Sequence, residues 1–130
     1  MRKVLFVCVE NAGRSQMAEA FARAYGLEAS SAGTVPAEKL NPTVIQVMNE
    51  RGIALPGKPK MLTVEMVKAA DLVVTMGCSV QEVCPKPMVE QMKKKLVDWG
   101  IEDPKGKPIE EVRKIASQIE NKTTELLKRS

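Results

Sequence analysis

Two short runs of consecutive apolar residues, Val4-Leu5-Phe6-Val7 and Leu72-Val73-Val74, constrain the fold of this 130-residue chain more than any other feature. A strand with one wet face alternates apolar and polar residues, whereas a strand buried on both faces does not. Both runs are rich in β-branched residues and too short for fully buried helices. They therefore predict central strands of a parallel sheet, which requires helices on both of its faces. The first run ends at Cys8, and the second, extended through residue 76, is followed by Cys78. Open parallel sheets bind their ligands beyond the carboxyl ends of the strands, so both thiols are expected at the functional edge.

The rest of the chain alternates in the same way. From Ser15 the period becomes helical, with Met17, Ala18, Phe21, Ala22 and Tyr25 on one side and Gly26 placed to stop the helix. Residues 27–32 read as a second strand closed by Gly33. Asn41 before Pro42 is an N-cap with proline in the first turn, and Val44, Ile45, Val47 and Met48 continue at helical spacing to Gly52. Residues 56–60 form a loop, and Thr63 caps a short helix ending near residue 70. Residues 77–94, with Gly77, Pro85 and Pro87, read as a loop or a broken helix. Residues 96–99 are a fourth strand, and Val112, Ile115, Ile119 and Leu126 mark a long amphipathic helix over residues 109–127. The expectation is a single α/β domain over residues 1–130, a four-stranded parallel sheet flanked by helices on both faces.

Composition narrows the chemistry. The chain has no histidine, which removes Ser-His-Asp triads, Cys-His dyads and His-ligated zinc. Catalysis must use thiols, carboxylates, lysine or arginine. The net charge of +4 is spread out: eight basic against five acidic residues up to residue 60, and twelve against eleven after it. Such a balance does not favour nucleic acid as a partner. The N-terminal apolar run is too short for a signal peptide, and no stretch reaches the length of a membrane span. A cytoplasmic monomer without membrane contact is the expectation, and there thiols stay reduced unless their chemistry oxidises them. Three cysteines also fit poorly with a static disulfide framework.

The strongest local signal is Cys8-Val9-Glu10-Asn11-Ala12-Gly13-Arg14-Ser15, lying between a strand end and a helix start. So short a loop must curl, and the backbone N–H groups of residues 9–14 then converge at the helix N-terminus as a cradle for an oxyanion. Gly13 and Asn11 tolerate unusual backbone angles. Arg14 adds a planar fork of donors suited to phosphate or arsenate. The same field favours the thiolate of Cys8, to which the Ser15 hydroxyl can donate. The bland alternative, a buried strand cysteine and a surface arginine, leaves Asn11, Gly13 and Ser15 unexplained. Cys8 is thus expected to be a nucleophile that takes an oxyanion in line.

This signature, followed by Met17-Ala18-Glu19-Ala20-Phe21, by Ser31-Ala32-Gly33 and by Asp71-Leu72-Val73-Val74-Thr75-Met76, resembles the low-molecular-weight protein tyrosine phosphatase superfamily, whose layering is flavodoxin-like. Cys78, Cys84 and Trp99-Gly100-Ile101-Glu102-Asp103-Pro104 look like its thioredoxin-coupled arsenate reductases. The resemblance covers nearly the whole chain. It implies that Cys8 attacks arsenate while Asp103 protonates the leaving oxygen, with Glu102 the nearest competitor for that role. It further implies that Cys78 attacks Cys8 to release arsenite, that Cys84 attacks Cys78, and that thioredoxin or a similar dithiol protein reduces the resulting disulfide. Five residues separate Cys78 from Cys84, one fewer than the resemblance leads one to expect.

Some members bind potassium near the first loop. Asn11, Glu19 and Ser31 match three of those positions, but Lys58 and Lys60 stand where an aspartate is expected, and an ammonium can replace the ion. No metal and no cofactor are therefore expected. Trp99 is expected in core or loop support, and the run of lysines at residues 93–95 on a solvated face. Two other functions remain open. A phosphatase needs only Cys8, Arg14 and Asp103, although Lys105 and Gly106 follow Pro104 where tyrosine phosphatases carry aromatics. A protein that captures arsenite or a soft metal through three thiols would give Arg14, Ser15 and Asp103 no role.

Overall fold

In the computed structural model of the protein, residues 3–55, 57–76 and 95–129 are described. Four strands, β1 (Lys3–Cys8), β2 (Glu28–Gly33), β3 (Leu72–Thr75) and β4 (Leu96–Asp98), form one parallel sheet in the order β2-β1-β3-β4. The helices are α1 (Arg14–Ala24), α2 (Pro42–Glu50), α3 (Val64–Ala69) and α4 (Ile109–Arg129). The domain is thus an α/β sheet flanked by helices, and the strand order reverses between β1 and β3, where such sheets open a crevice.

The continuous apolar runs are explained by packing on both faces. Val4, Phe6 and Cys8 of β1 point into a core shared with α1, α2 and α4, while Leu5 and Val7 point into a second core with Leu62, Val67 and Ala70 around α3. β3 divides in the same way, Val74 on the first face and Val73 on the second. Burying each such side chain contributes roughly 1.5–3 kcal/mol. The long helix α4 lays Val112, Ile115, Ala116 and Ile119 against α1 and α2, and all four are buried.

The helix ends follow local chemistry. Asn41 Oδ1 accepts from the N–H groups of Thr43 and Val44 at 3.0 and 3.4 Å, and Thr63 Oγ1 from that of Met66 at 3.2 Å. Gly26 follows the end of α1 at φ +90°, a backbone angle that side chains with a Cβ rarely adopt. β4 ends one residue earlier than the strand expected over residues 96–99, because Asp98 Oδ1 accepts from Thr75 Oγ1 and from the Gly100 N–H and turns the chain. The ring of Trp99 packs on Phe6 with centroids 5.5 Å apart. Residues 77–94, read above as a loop or broken helix, lie outside the described residues. Among the described residues no helix is long and apolar enough to cross a membrane.

Candidate active site

The site is built at the β1–β3 crevice, and its shape begins with four backbone carbonyls. The C=O groups of Cys8, Val9, Glu10 and Ala12 accept from the N–H groups of Thr34, Val35, Ala37 and Asn41 at 3.3, 2.8, 2.9 and 2.9 Å. Within a planar trans peptide the N–H points opposite its C=O. The N–H groups of Val9, Glu10, Asn11 and Gly13 are therefore turned away from the 34–41 segment and into the bend of the loop. One of them already has a partner, since the Asn11 N–H donates to Cys8 Sγ at 3.2 Å. Asn11 takes φ +53°, the one positive φ at a non-glycine position among the described residues, which curls the loop over the thiol. The first turn of α1 adds its free N–H groups, because Gly13 supplies no side-chain cap.

Cys8 Sγ lies 2.9 Å from Ser15 Oγ. Asn11 favours the Ser15 hydroxyl as the donor in that hydrogen bond. Its Oδ1 accepts from Gln16 Nε2 and from the Lys60 N–H, both at 3.0 Å, so its Nδ2 must face Ser15, donating to Ser15 Oγ at 2.7 Å. The Ser15 oxygen is thereby an acceptor from Asn11, and its proton is left for the sulfur. Two donors converge on Cys8 Sγ, an arrangement that stabilises a thiolate.

Arg14 is buried at the start of α1, where a cation opposes the helix dipole and its potential adds to that of the N–H groups. Its Nη1 donates to the carbonyls of Met76 and Ile101, each at 2.8 Å. That tie joins the ends of β3 and β4 to the loop and leaves Nη2 facing outward, 3.8 Å from Asp103 Oδ2. A cleft of about 720 Å³ opens above, lined by Cys8, Glu10, Gly13, Arg14, Lys39, Leu40, Asp103 and Lys105 among others. A buried thiol beneath inward N–H groups, an arginine fork and an overhanging carboxyl is arranged to bind a tetrahedral oxyanion and attack it in line.

The family model of low molecular weight phosphotyrosine protein phosphatases matches residues 3–130. The chain belongs to this family. Among its relatives, the glutaredoxin arsenate reductase of Synechocystis sp. is 34% identical, over 98% of this chain and 97% of that one. A solved arginine phosphatase, YwlE from Geobacillus stearothermophilus, has a TM-score of 0.89 at 27% identity, covering 99% of this chain and 92% of that one. The thioredoxin-dependent arsenate reductase of Corynebacterium glutamicum has a TM-score of 0.79 at 38% identity, covering 99% of this chain and 61% of the other.

Within this phosphatase family framework the candidates named from the sequence fall into four groups. Cys8, Arg14, Ser15, Asp103 and the loop Val9, Glu10, Asn11, Ala12 and Gly13 come together around one cleft. Glu102, the competing acid, is turned to Lys107 at 2.6 Å, and this hydrogen bond holds the lysine ammonium above its ordinary pKa. Cys78 and Cys84 lie outside the described residues. Asn11, Glu19 and Ser31 form a cluster below the loop: Ser31 Oγ donates to Glu19 Oε1 at 2.5 Å, and Lys60 Nζ stands 3.8 Å from the same oxygen. Lys58 contributes only its carbonyl, to Gln16 Nε2 at 3.4 Å.

The support that Gln16 and Gly33 give to the loop escaped the sequence reading, where Gly33 marks only the end of a strand and part of a motif. Gln16 is fully buried beside Asn11, and Gly33 passes directly under the loop. A polar residue on the buried face of an apolar helix was the available signal for Gln16. The 34–41 brace has none, because backbone hydrogen bonds leave no mark on side-chain identity.

Proposed function

We propose that this phosphatase-family protein is an arsenate reductase that works by a three-cysteine relay. The observation that carries the reading is Cys8 Sγ held by Ser15 and Asn11 at the floor of an N–H-lined loop, with Arg14 and Asp103 3.8 Å apart above it. Arsenate enters the loop, and the Cys8 thiolate attacks arsenic as Asp103 gives a proton to the departing oxygen, which leaves as water. Cys78 then attacks Cys8 Sγ. The S–As bond breaks with its electron pair on arsenic, arsenite is released, and a Cys8–Cys78 disulfide remains. Cys84 attacks the Cys78 sulfur, freeing Cys8 as thiolate, and thioredoxin or a similar dithiol protein reduces the Cys78–Cys84 disulfide.

Relatives named as arsenate reductases, one thioredoxin-dependent and one named for glutaredoxin, support this reading. So does the cleft lining, which holds no aromatic side chain among the described residues to grip a phenyl ring. The test is NADPH oxidation by reduced protein mixed with arsenate, thioredoxin and thioredoxin reductase, repeated with a glutaredoxin system. Absence of arsenate-dependent oxidation with both donors overturns the reading. Mass mapping after one equivalent of arsenate should find a Cys78–Cys84 bond.

The second reading is phosphomonoester hydrolysis through a Cys8 phosphocysteine, favoured by the family match and by the likeness to the arginine phosphatase. Cys84→Ser separates the two. It should stall arsenate reduction after one turnover while leaving hydrolysis of p-nitrophenyl phosphate intact.

A further inference from the structure

Glu10 and Lys105 face each other across the mouth of the cleft, and the relay uses neither side chain. Both line the cleft, and Lys105 Nζ lies 3.0 Å from Glu10 Oε1. Glu10 is a residue of the anion loop itself. A free carboxylate there places a full negative charge beside a loop whose N–H groups and arginine gather an anion, and at such short range salt screens the repulsion incompletely. The Glu10 and Lys105 side chains are 40% and 70% exposed, so the pair contributes little to holding the fold together. Its consequence lies in the charge at the cleft mouth.

The position of Lys105 is set by the segment that carries Asp103. The Lys105 N–H donates to Asp103 Oδ1 at 3.0 Å. Pro104 rests on Gly13 so closely that a Cβ there would stand 3.0 Å from its Cγ. The ammonium is thus delivered to Glu10 by the loop that overhangs Cys8.

We propose that Lys105 is the counter-charge of Glu10, and that the pair sets the cleft's affinity for a doubly charged tetrahedral oxyanion. This rests on the reading of the Cys8–Arg14 loop as the anion site. The test is calorimetric titration of inorganic phosphate into the reduced protein, comparing wild type, Lys105→Met, Glu10→Gln and the double variant, each checked for an unchanged thermal midpoint. Lys105→Met should weaken binding roughly three- to tenfold, and less so at high salt. Glu10→Gln should bind at least as tightly as wild type, and adding it to Lys105→Met should restore the affinity. Equal weakening by both single substitutions would mean that the pair only braces the Asp103 segment, and overturns the proposal, as would unchanged affinity in all variants. A wild-type protein that takes neither phosphate nor arsenate overturns the anion site itself, and the pair with it.

Discussion

Asn11, in the loop, and Ser15, in the first turn of α1, lie four residues apart, and the amide of the first donates to the hydroxyl of the second at 2.7 Å. With Asn11 Oδ1 occupied by Gln16 and the Lys60 N–H, this bond leaves the Ser15 proton free to be donated to Cys8. Asn11→Asp keeps the shape and tolerates the positive φ, but its second oxygen accepts where Nδ2 donated and draws the Ser15 proton away from sulfur. In a Cys78→Ser/Cys84→Ser background, where Cys8 is the remaining thiol, the rate of iodoacetamide alkylation at neutral pH should fall about tenfold or more. A hydrogen bond to a charged group is worth roughly 1.5–3 kcal/mol, which sets that scale. Ser15→Ala should fall in the same direction, and an unchanged rate in both would refute the assigned proton direction.

Gly33 ends β2 beneath the Cys8–Arg14 loop, and a Cβ there would stand 2.5 Å from the Val9 carbonyl oxygen and 3.0 Å from Asn11 Cβ. Neither neighbour is the free end of a flexible side chain, so Gly33→Ala must push the loop upward. Overpacking of this kind costs roughly 1–3 kcal/mol. The variant should unfold at lower urea concentration and lose most of the stabilisation that phosphate gives the wild type, read as the ligand-induced shift of the thermal midpoint.

Arg14 serves two masters, the carbonyls of Met76 and Ile101 through Nη1 and the cleft through Nη2. A lysine keeps the charge but has neither the planar fork nor the reach to satisfy both. Arg14→Lys should therefore reduce arsenate turnover and phosphate binding by about a hundredfold, while the two orphaned carbonyls lower stability by roughly 1–3 kcal/mol. Steady-state kinetics and urea unfolding on the same preparation test both halves.

What could be read from the sequence was whatever is encoded locally. The unbroken apolar runs gave away β1 and β3 because a doubly buried strand has no polar face, and Asn41-Pro42 marked a helix start because capping is settled within four residues. The bend between β1 and α1 was legible because Cys8, Asn11, Gly13, Arg14 and Ser15 fall within eight consecutive residues. The long-range contacts were not. Arg14 meets carbonyls 62 and 87 residues away, and any side chain at Met76 or Ile101 presents the same oxygen. The need for glycine at position 33 comes from the fold bringing Val9 onto it, which spacing along the chain does not reveal.

Tyr25, the single tyrosine of the chain, closes a tie between α1 and α4 by donating its hydroxyl to Glu120, which also accepts from Arg51 Nη1 at 2.8 Å. The hydrogen bond to the carboxylate, with a smaller contribution from burial, raises the phenol above its ordinary value of 10. A group whose pKa is raised by folding gives stability that is fully present below its unfolded pKa and is lost as pH rises through the folded one. The stabilisation from this tie should therefore persist through neutral pH and disappear on the alkaline side of 10. With one tyrosine, the phenolate absorbance of the folded protein reports this ionisation directly. Its midpoint should lie above that of the urea-unfolded chain and move back toward it in Glu120→Gln. The urea midpoint of Tyr25→Phe should be lower than that of wild type at neutral pH, with the gap closing as pH passes the wild-type phenolate midpoint. A folded midpoint at or below the unfolded one would refute the assignment.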